Sequence, residues 1–216
     1  MVTATELIVL NLTKIGESSV VLHTISREWG RRGFLVNVGK KTSMSLFLPM
    51  NVLEAEVIEN PKSSLWRATK ISAKHPLHGV RASVAKNAMT MFMSEVLYRA
   101  VKEGAHEDGL FEWCEKSILT LDALQSDFAN YHLRFLLEFA VALGFSPSVE
   151  ALRPFAGEHL STLKQFVESP FAESMLIPLT GELRNEIAEI LLRYLSYHCE
   201  SAIDVRSLKV LHELFC

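Results

Sequence analysis

The chain opens with a stretch that reads TELIVLNLTKIGESSVVLHTIS over residues 5–26. Two runs rich in Leu, Ile, Val and Thr flank the pair Gly16-Glu17, and this composition favours β-strands on either side of a tight turn. The stretch therefore predicts a β-hairpin with strands over residues 5–15 and 18–26.

Three more short strands follow this hairpin. The turn sequence WGRRG at 29–33 leads to a predicted strand over 34–38, and the last strand is predicted over 65–73. Between them, a strand over 46–58 contains Pro49, which belongs at an edge or a bulge. Five short strands without a helical period indicate a small closed or partly closed barrel, of which the oligonucleotide-binding (OB) fold is the five-stranded example.

After residue 79 the apolar residues recur with a helical period. The pattern predicts helices over 82–103, 110–124, 128–143, 180–198 (with Thr180 as N-cap) and 205–215, and short helices and loops over 146–178. We therefore predict an α+β protein with an N-terminal five-stranded OB-fold nucleic-acid-binding domain over residues 1–79 and an all-helical domain over residues 80–216.

Charge divides unevenly between these two parts. Residues 1–79 contain ten Lys or Arg and six Glu, a net charge of +4, whereas residues 80–216 carry a net charge of −7. This asymmetry predicts an anionic partner for the first part, and nucleic acid fits best. The sequence lacks a secretory signal pattern and an apolar run long enough to cross a bilayer, so we expect a cytoplasmic protein that is not bound to a membrane.

Motifs that would indicate an enzyme are absent from the sequence. There is no Gly-rich phosphate loop, no Gly-x-Ser-x-Gly and no His-Glu-x-x-His. The three cysteines are widely spaced, and His75 and His78 have no neighbouring Asp, Glu or Cys to complete a metal shell, so the segment that contains them is interpreted as a linker. We expect no catalytic residue, no metal and no cofactor.

Basic residues recur near the turns and on the last strand of the predicted barrel, with Trp29, Phe34 and Trp66 among them. Such a surface suits single-stranded nucleic acid, because cations meet phosphates and aromatic rings meet base faces. The alternative is a solvated surface with Trp29 and Trp66 in the core. The predicted DNA-binding residues are Arg27, Arg31, Arg32, Lys40, Lys41, Arg67 and Lys70.

An aromatic stripe marks the helix predicted over 128–143. Its spacing favours a core position for residues such as Tyr131, Phe135 and Phe139. Arg134 lies beside this stripe, and an arginine at the rim of an apolar groove can hold a peptide that ends in a carboxylate. The pattern alone favours the core interpretation.

The order of several short segments resembles the bacterial recombination mediator family RecO. The matching residues are GESS at 16–19 followed by VVLHT at 20–24 and Gly30, then Leu48-Pro49, Leu110-Phe111, LGFSP at 143–147 and SLKVL at 207–211. They span almost the whole chain, and their order and spacing are more specific than any one of them.

The resemblance implies an OB-fold barrel packed on a helical domain, in a nucleoid-associated, non-catalytic protein of DNA repair. It implies binding to single- and double-stranded DNA, strand annealing, help in loading the recombinase, and partnership with RecR and with the acidic, Phe-ended tail of single-stranded-DNA-binding protein. The family's tail-binding arginine corresponds to Arg134, and the adjacent Phe135 joins it as a predicted partner-binding residue.

This chain departs from the family at two places. Many members carry four zinc-binding cysteines after the LGF-x-P segment, whereas SVEALR stands here at 148–153, so we expect no zinc. The basic loop after the third strand is reduced to VGKK at 38–41, which predicts weaker DNA binding that RecR supplements. The alternative from another functional class is an interaction scaffold whose OB-like barrel does not bind DNA.

Overall fold

The computed structural model describes residues 2–39, 42–63 and 65–215. The first part is a closed barrel in which adjacent strands follow the order β1-β2-β3-β5-β4. The strands are β1 Val2–Ile15, β2 Ser19–Ser26, β3 Gly30–Asn37, β4 Val52–Ile58 and β5 Trp66–Ala73. Helices follow the barrel, so the prediction of a five-stranded barrel and a helical part is confirmed.

Residues 7–10 of strand β1 are buried on both faces of the strand, which explains the apolar run LIVL. Leu7 and Val9 point into the barrel interior, where they pack in the core that contains Leu22. Ile8 and Leu10 belong instead to the core that the barrel shares with the helices. Successive side chains of a strand point to opposite faces, so a strand with two buried faces shows an apolar run in place of alternation.

The turn between β2 and β3 lies earlier than predicted. Ser26 pairs with Gly30, and Thr24 pairs with Arg32, so the chain reverses over 27–29. Arg31 and Arg32 are therefore strand residues, and the predicted turn at 29–33 was wrong. Gly30, the first residue of β3, adopts a φ of +60°, a conformation that favours glycine.

The fourth strand begins later than predicted. A 3-10 helix at Met44–Phe47 occupies the start of the predicted 46–58 strand, and β4 begins at Val52. The side-chain amide of Asn51 holds this segment, because its Nδ2 donates to the backbone oxygens of Ser45 and Leu46, each at 2.9 Å.

Nine helices are formed by the described residues. They are α1 His78–Arg81, α2 Val84–Ala100, α3 Leu110–Ala123, α4 Tyr131–Ala142, α5 Val149–Ala156, α6 Leu160–Glu168, α7 Phe171–Leu176, α8 Gly181–His198 and α9 Ser207–Phe215. Thr180 caps α8 as predicted, since its hydroxyl accepts the Leu183 N–H at 3.2 Å. The domain boundary predicted after residue 79 falls inside α1. None of the helices in the described part of the chain is both long and apolar enough to span a bilayer.

A charged network joins the barrel to α3. Glu115 of α3 contacts Lys74 at 2.8 Å, His75 at 2.9 Å and Arg27 at 3.5 Å, and its side chain is 15% exposed. Burial by itself would raise the pKa of Glu115, but the hydrogen bonds from Lys74 and His75 lower that pKa below its usual value. The segment interpreted as a linker is thus anchored to the helices through His75.

Candidate functional site

The barrel is closed by a short parallel pairing between β3 and β5. In the described parts of these parallel strands, the pairs are Phe34–Trp66 and Leu35–Arg67. Residues of both strands line a cleft of about 260 Å³ next to these pairs. We call this the seam cleft; it is lined by Val36 and Asn37, by Thr42, Leu46 and Phe47, and by residues 67–71 of β5.

A β-bulge places Lys70 at the seam cleft. In the pairing of β4 with β5, Glu54 faces Ser72 and Glu56 faces Thr69, so Lys70 and Ile71 together oppose one β4 residue. Lys70 has a φ of +50°, and its side chain is 74% exposed while it pairs with Glu56 at 2.8 Å. Bulges commonly redirect a side chain next to a functional site. Arg67, also exposed, lines the same cleft.

Arg32 and two tryptophans stack beside the start of the seam. The guanidinium carbon of Arg32 lies 3.9 Å from the centroid of the Trp66 ring, and Trp29 meets Trp66 edge-on at 5.3 Å. Both tryptophans are partly buried against the barrel core that contains Phe34. Among the described residues no hydrogen-bond partner reaches the buried Nε of Arg32. Both rings pack against the core, and one face of the Trp66 ring is in contact with the Arg32 guanidinium.

Arg27 and Arg31 face the helices, away from this cleft. Arg27 pairs with Glu6 at 2.6 Å and with Glu112, and its guanidinium lies over the Phe111 ring. Arg31 donates from Nη1 to the backbone oxygen of Val101 at 2.6 Å and lies over the Tyr98 ring. These contacts hold the barrel on α2 and α3.

The predicted basic stripe is therefore divided by the structure. Arg32, Arg67 and Lys70 lie at or beside the seam cleft, while Arg27 and Arg31 lie at the junction with the helices. Lys40 and Lys41 are outside the described residues, although their neighbour Thr42 lines the cleft.

A second recess lies on the helical part. It has a volume of about 280 Å³ and is lined by Arg134, Leu137, Glu138 and Val141 of α4, by residues 146–148 and by Val167 of α6. We call it the α4 groove. Leu137, Val141, Pro147 and Val167 make its walls apolar, and Arg134 supplies a cation.

Two contacts hold the Arg134 side chain, which is 20% exposed. Its Nε donates to Glu138 Oε1 at 2.7 Å, and its Nη1 donates to the Ser169 carbonyl at 3.0 Å. Phe135 does not line the groove, because it is 2% exposed and stacks with Phe139 in the core. Partner binding by Phe135 stays a prediction, and the structure places this residue in the core and not in the lining of the groove.

Potential metal ligands are scattered through the described residues. There, no three His, Cys, Asp or Glu side chains lie close enough together to hold a metal ion. Complete burial raises the pKa of the Cys114 thiol far above its usual value, which keeps this group protonated.

Comparison with known proteins decides the family. The chain is 30% identical over 233 residues to DNA repair protein RecO of Phocaeicola vulgatus, with 96% of this chain and 97% of the relative covered. The chain belongs to the RecO family. The RecO proteins of Flavobacterium psychrophilum and Bacteroides fragilis are 27% and 28% identical, and the alignments cover 98% and 96% of this chain and 98% and 97% of those proteins. The family model described as "Recombination protein O C terminal" matches residues 81–152.

The family match confirms the resemblance and places the chain in DNA repair. In this chain the matched residues 81–152 run from the last residue of α1 into α5. They include Arg134, Glu138 and most of the α4 groove. The seam cleft lies outside that match but inside the alignments that cover almost the whole chain.

Proposed function

We propose that this RecO protein is a recombination mediator without catalytic activity of its own. It binds single- and double-stranded DNA on the barrel, anneals complementary strands and helps to load the recombinase onto strands coated by single-stranded-DNA-binding protein. RecR is its further partner. Membership in the RecO family supports the role in repair, and the two surfaces described above support the division of labour between the barrel and the helices.

The seam cleft carries the DNA-binding part of this proposal. Arg67 and Lys70 are exposed at the cleft beside the β3–β5 pairing, and the Arg32–Trp66 stack lies next to it. Cations bind phosphates regardless of sequence, while aromatic surfaces accept any base. The proposed DNA-binding residues are Arg32, Lys40, Lys41, Arg67 and Lys70.

Reversing two charges at the seam cleft should weaken DNA binding. For Arg67→Glu together with Lys70→Glu, we expect an affinity loss on the order of tenfold or more at low salt, because phosphate contacts are replaced by repulsion. The loss should be equal for two unrelated fluorescent single strands, since backbone contacts carry no base information. Fluorescence anisotropy measures both affinities.

The matched control is Lys164→Glu with Lys209→Glu, which makes the same change in net charge on exposed positions of α6 and α9. It should leave DNA binding nearly unchanged. If the seam variant folds normally and binds DNA as tightly as the wild type, the site lies elsewhere and the scaffold interpretation gains support.

The α4 groove carries the second part of the proposal. Its apolar walls suit a phenylalanine side chain, and Arg134 suits the carboxylates of an acidic tail. Chain-terminal Phe supplies both groups in one residue. We therefore propose that this groove holds the acidic, Phe-ended tail of single-stranded-DNA-binding protein.

Removing the Arg134 side chain should weaken binding of the tail. A hydrogen bond to a charged partner contributes about 1.5–3 kcal/mol, so Arg134→Ala should lower the affinity for a labelled tail peptide about tenfold or more. Arg193→Ala on α8, an exposed position outside the groove, is the matched control and should bind normally. An unchanged affinity in Arg134→Ala would exclude the α4 groove as the tail site.

A further inference from the structure

We infer that Glu138 is a built-in competitor that occupies Arg134 and limits the affinity of the α4 groove for acidic peptides. This inference rests on the proposed tail site and assigns a residue that sets its strength. The carboxylate that contacts Arg134 lines the same groove that an acidic ligand would enter.

Glu138 takes part of the binding capacity of Arg134. The distance between Arg134 Nε and Glu138 Oε1 is 2.7 Å, and the two residues lie one helical turn apart on α4. A guanidinium has five N–H donors, and an incoming carboxylate binds it best through two parallel hydrogen bonds. With Nε engaged by Glu138, the bidentate arrangement that uses the Nε edge is closed to the ligand.

Arg134 has a second contact besides Glu138. The Ser169 carbonyl holds Nη1 at 3.0 Å and so fixes the guanidinium against the segment that follows α6. Glu138 is 38% exposed, and an exposed pair one helical turn apart is weak enough to exchange for another carboxylate. The pair therefore acts as a replaceable contact.

Glu138 also places a negative charge in the groove wall. Every acidic residue of a bound tail would lie in the field of that charge as well as in the field of Arg134. Removal of the Glu138 charge should thus free Arg134 and remove a repulsion, and both effects should strengthen binding of the acidic peptide. If Glu138 instead positioned Arg134, removal of its charge would weaken peptide binding.

The test is anisotropy with a short peptide that carries several Asp residues, ends in Phe and is labelled at its N-terminus. Glu138→Gln should bind it about three- to tenfold more tightly than the wild type. Glu189→Gln on α8 makes the same charge change outside the groove and should show no gain. A second peptide, with Asn for Asp and a C-terminal amide, should also show no gain.

The double variant distinguishes competition from general repulsion. In the Arg134→Ala background, Glu138→Gln should yield a clearly smaller gain, since there is no guanidinium left to compete for. An equal gain in both backgrounds, an unchanged affinity or a loss would overturn the inference. The proposed tail site would still stand if the wild type binds the acidic peptide and Arg134→Ala weakens that binding. If neither the wild type nor Glu138→Gln binds the peptide, the tail site and the role of Glu138 are both contradicted.

Discussion

Replacement of Gly30 by alanine is expected to destabilise the protein by about 3 kcal/mol or more. A Cβ at this position would lie 2.0 Å from the carbonyl oxygen of Ala105, which also accepts the N–H of Arg31 at 2.9 Å. Gly104 donates back to the Arg31 carbonyl at 2.8 Å. The added methyl group would force this loop away from β3 and break both hydrogen bonds.

Gly16→Ala separates this clash from the cost of backbone conformation. Gly16 has a φ of +66°, close to the +60° of Gly30, but no atom lies within 4 Å of the position that a Cβ would occupy there. We expect a loss of about 1 kcal/mol from the left-handed conformation alone. Urea unfolding followed by circular dichroism measures both losses, and equal losses would contradict the close approach at Gly30.

Substitution of Glu115 by glutamine should give the second large loss of stability, about 2 kcal/mol near neutral pH. The variant keeps the size of the side chain but removes the charge that serves Lys74, His75 and Arg27. Glu112→Gln is the matched control on the same helix. The Glu112 carboxylate is 56% exposed and pairs with Arg27, so this variant should lose less than about 1 kcal/mol of unfolding free energy.

The advantage of the wild type over Glu115→Gln should depend on pH in a defined direction. Because the pKa of Glu115 is lowered in the folded protein, the carboxylate stabilises the fold above its unfolded pKa of about 4.3. This contribution is lost as the pH falls through the folded pKa. Unfolding free energies of the two proteins should therefore converge in acid, and a difference that stays constant would contradict the assigned network.

Local sequence signals predicted the elements of the fold well. The Gly16-Glu17 turn and its apolar flanks gave the first hairpin, and Thr180 gave the start of α8. These features depend on residues that lie within a few positions of one another. The strand at 46–58 was placed less well, because the pattern did not reveal the 3-10 helix that Asn51 holds at its start.

Contacts between distant segments explain the errors in the candidate sites. Arg27 and Arg31 look like neighbouring surface cations in the sequence, but their partners Glu112 and Val101 lie 85 and 70 residues away. The sequence spacing was sufficient to predict Glu138 as a partner of Arg134, since the two residues are separated by one helical turn. The Ser169 carbonyl could not be predicted as a partner, because it lies 35 residues from Arg134 in the chain and only the tertiary fold brings the two together.

We propose that the barrel binds the nucleic-acid backbone at the seam cleft. A salt titration of binding to fluorescent single-stranded DNA tests it most directly. If about four to six cations contact phosphates, log affinity should fall with log salt at a slope of about −3 to −4 in the wild type, and the slope should be flatter by about 1 or more in the Arg67→Glu, Lys70→Glu variant. A wild-type affinity independent of salt, or an identical slope in a folded variant, would contradict the claim.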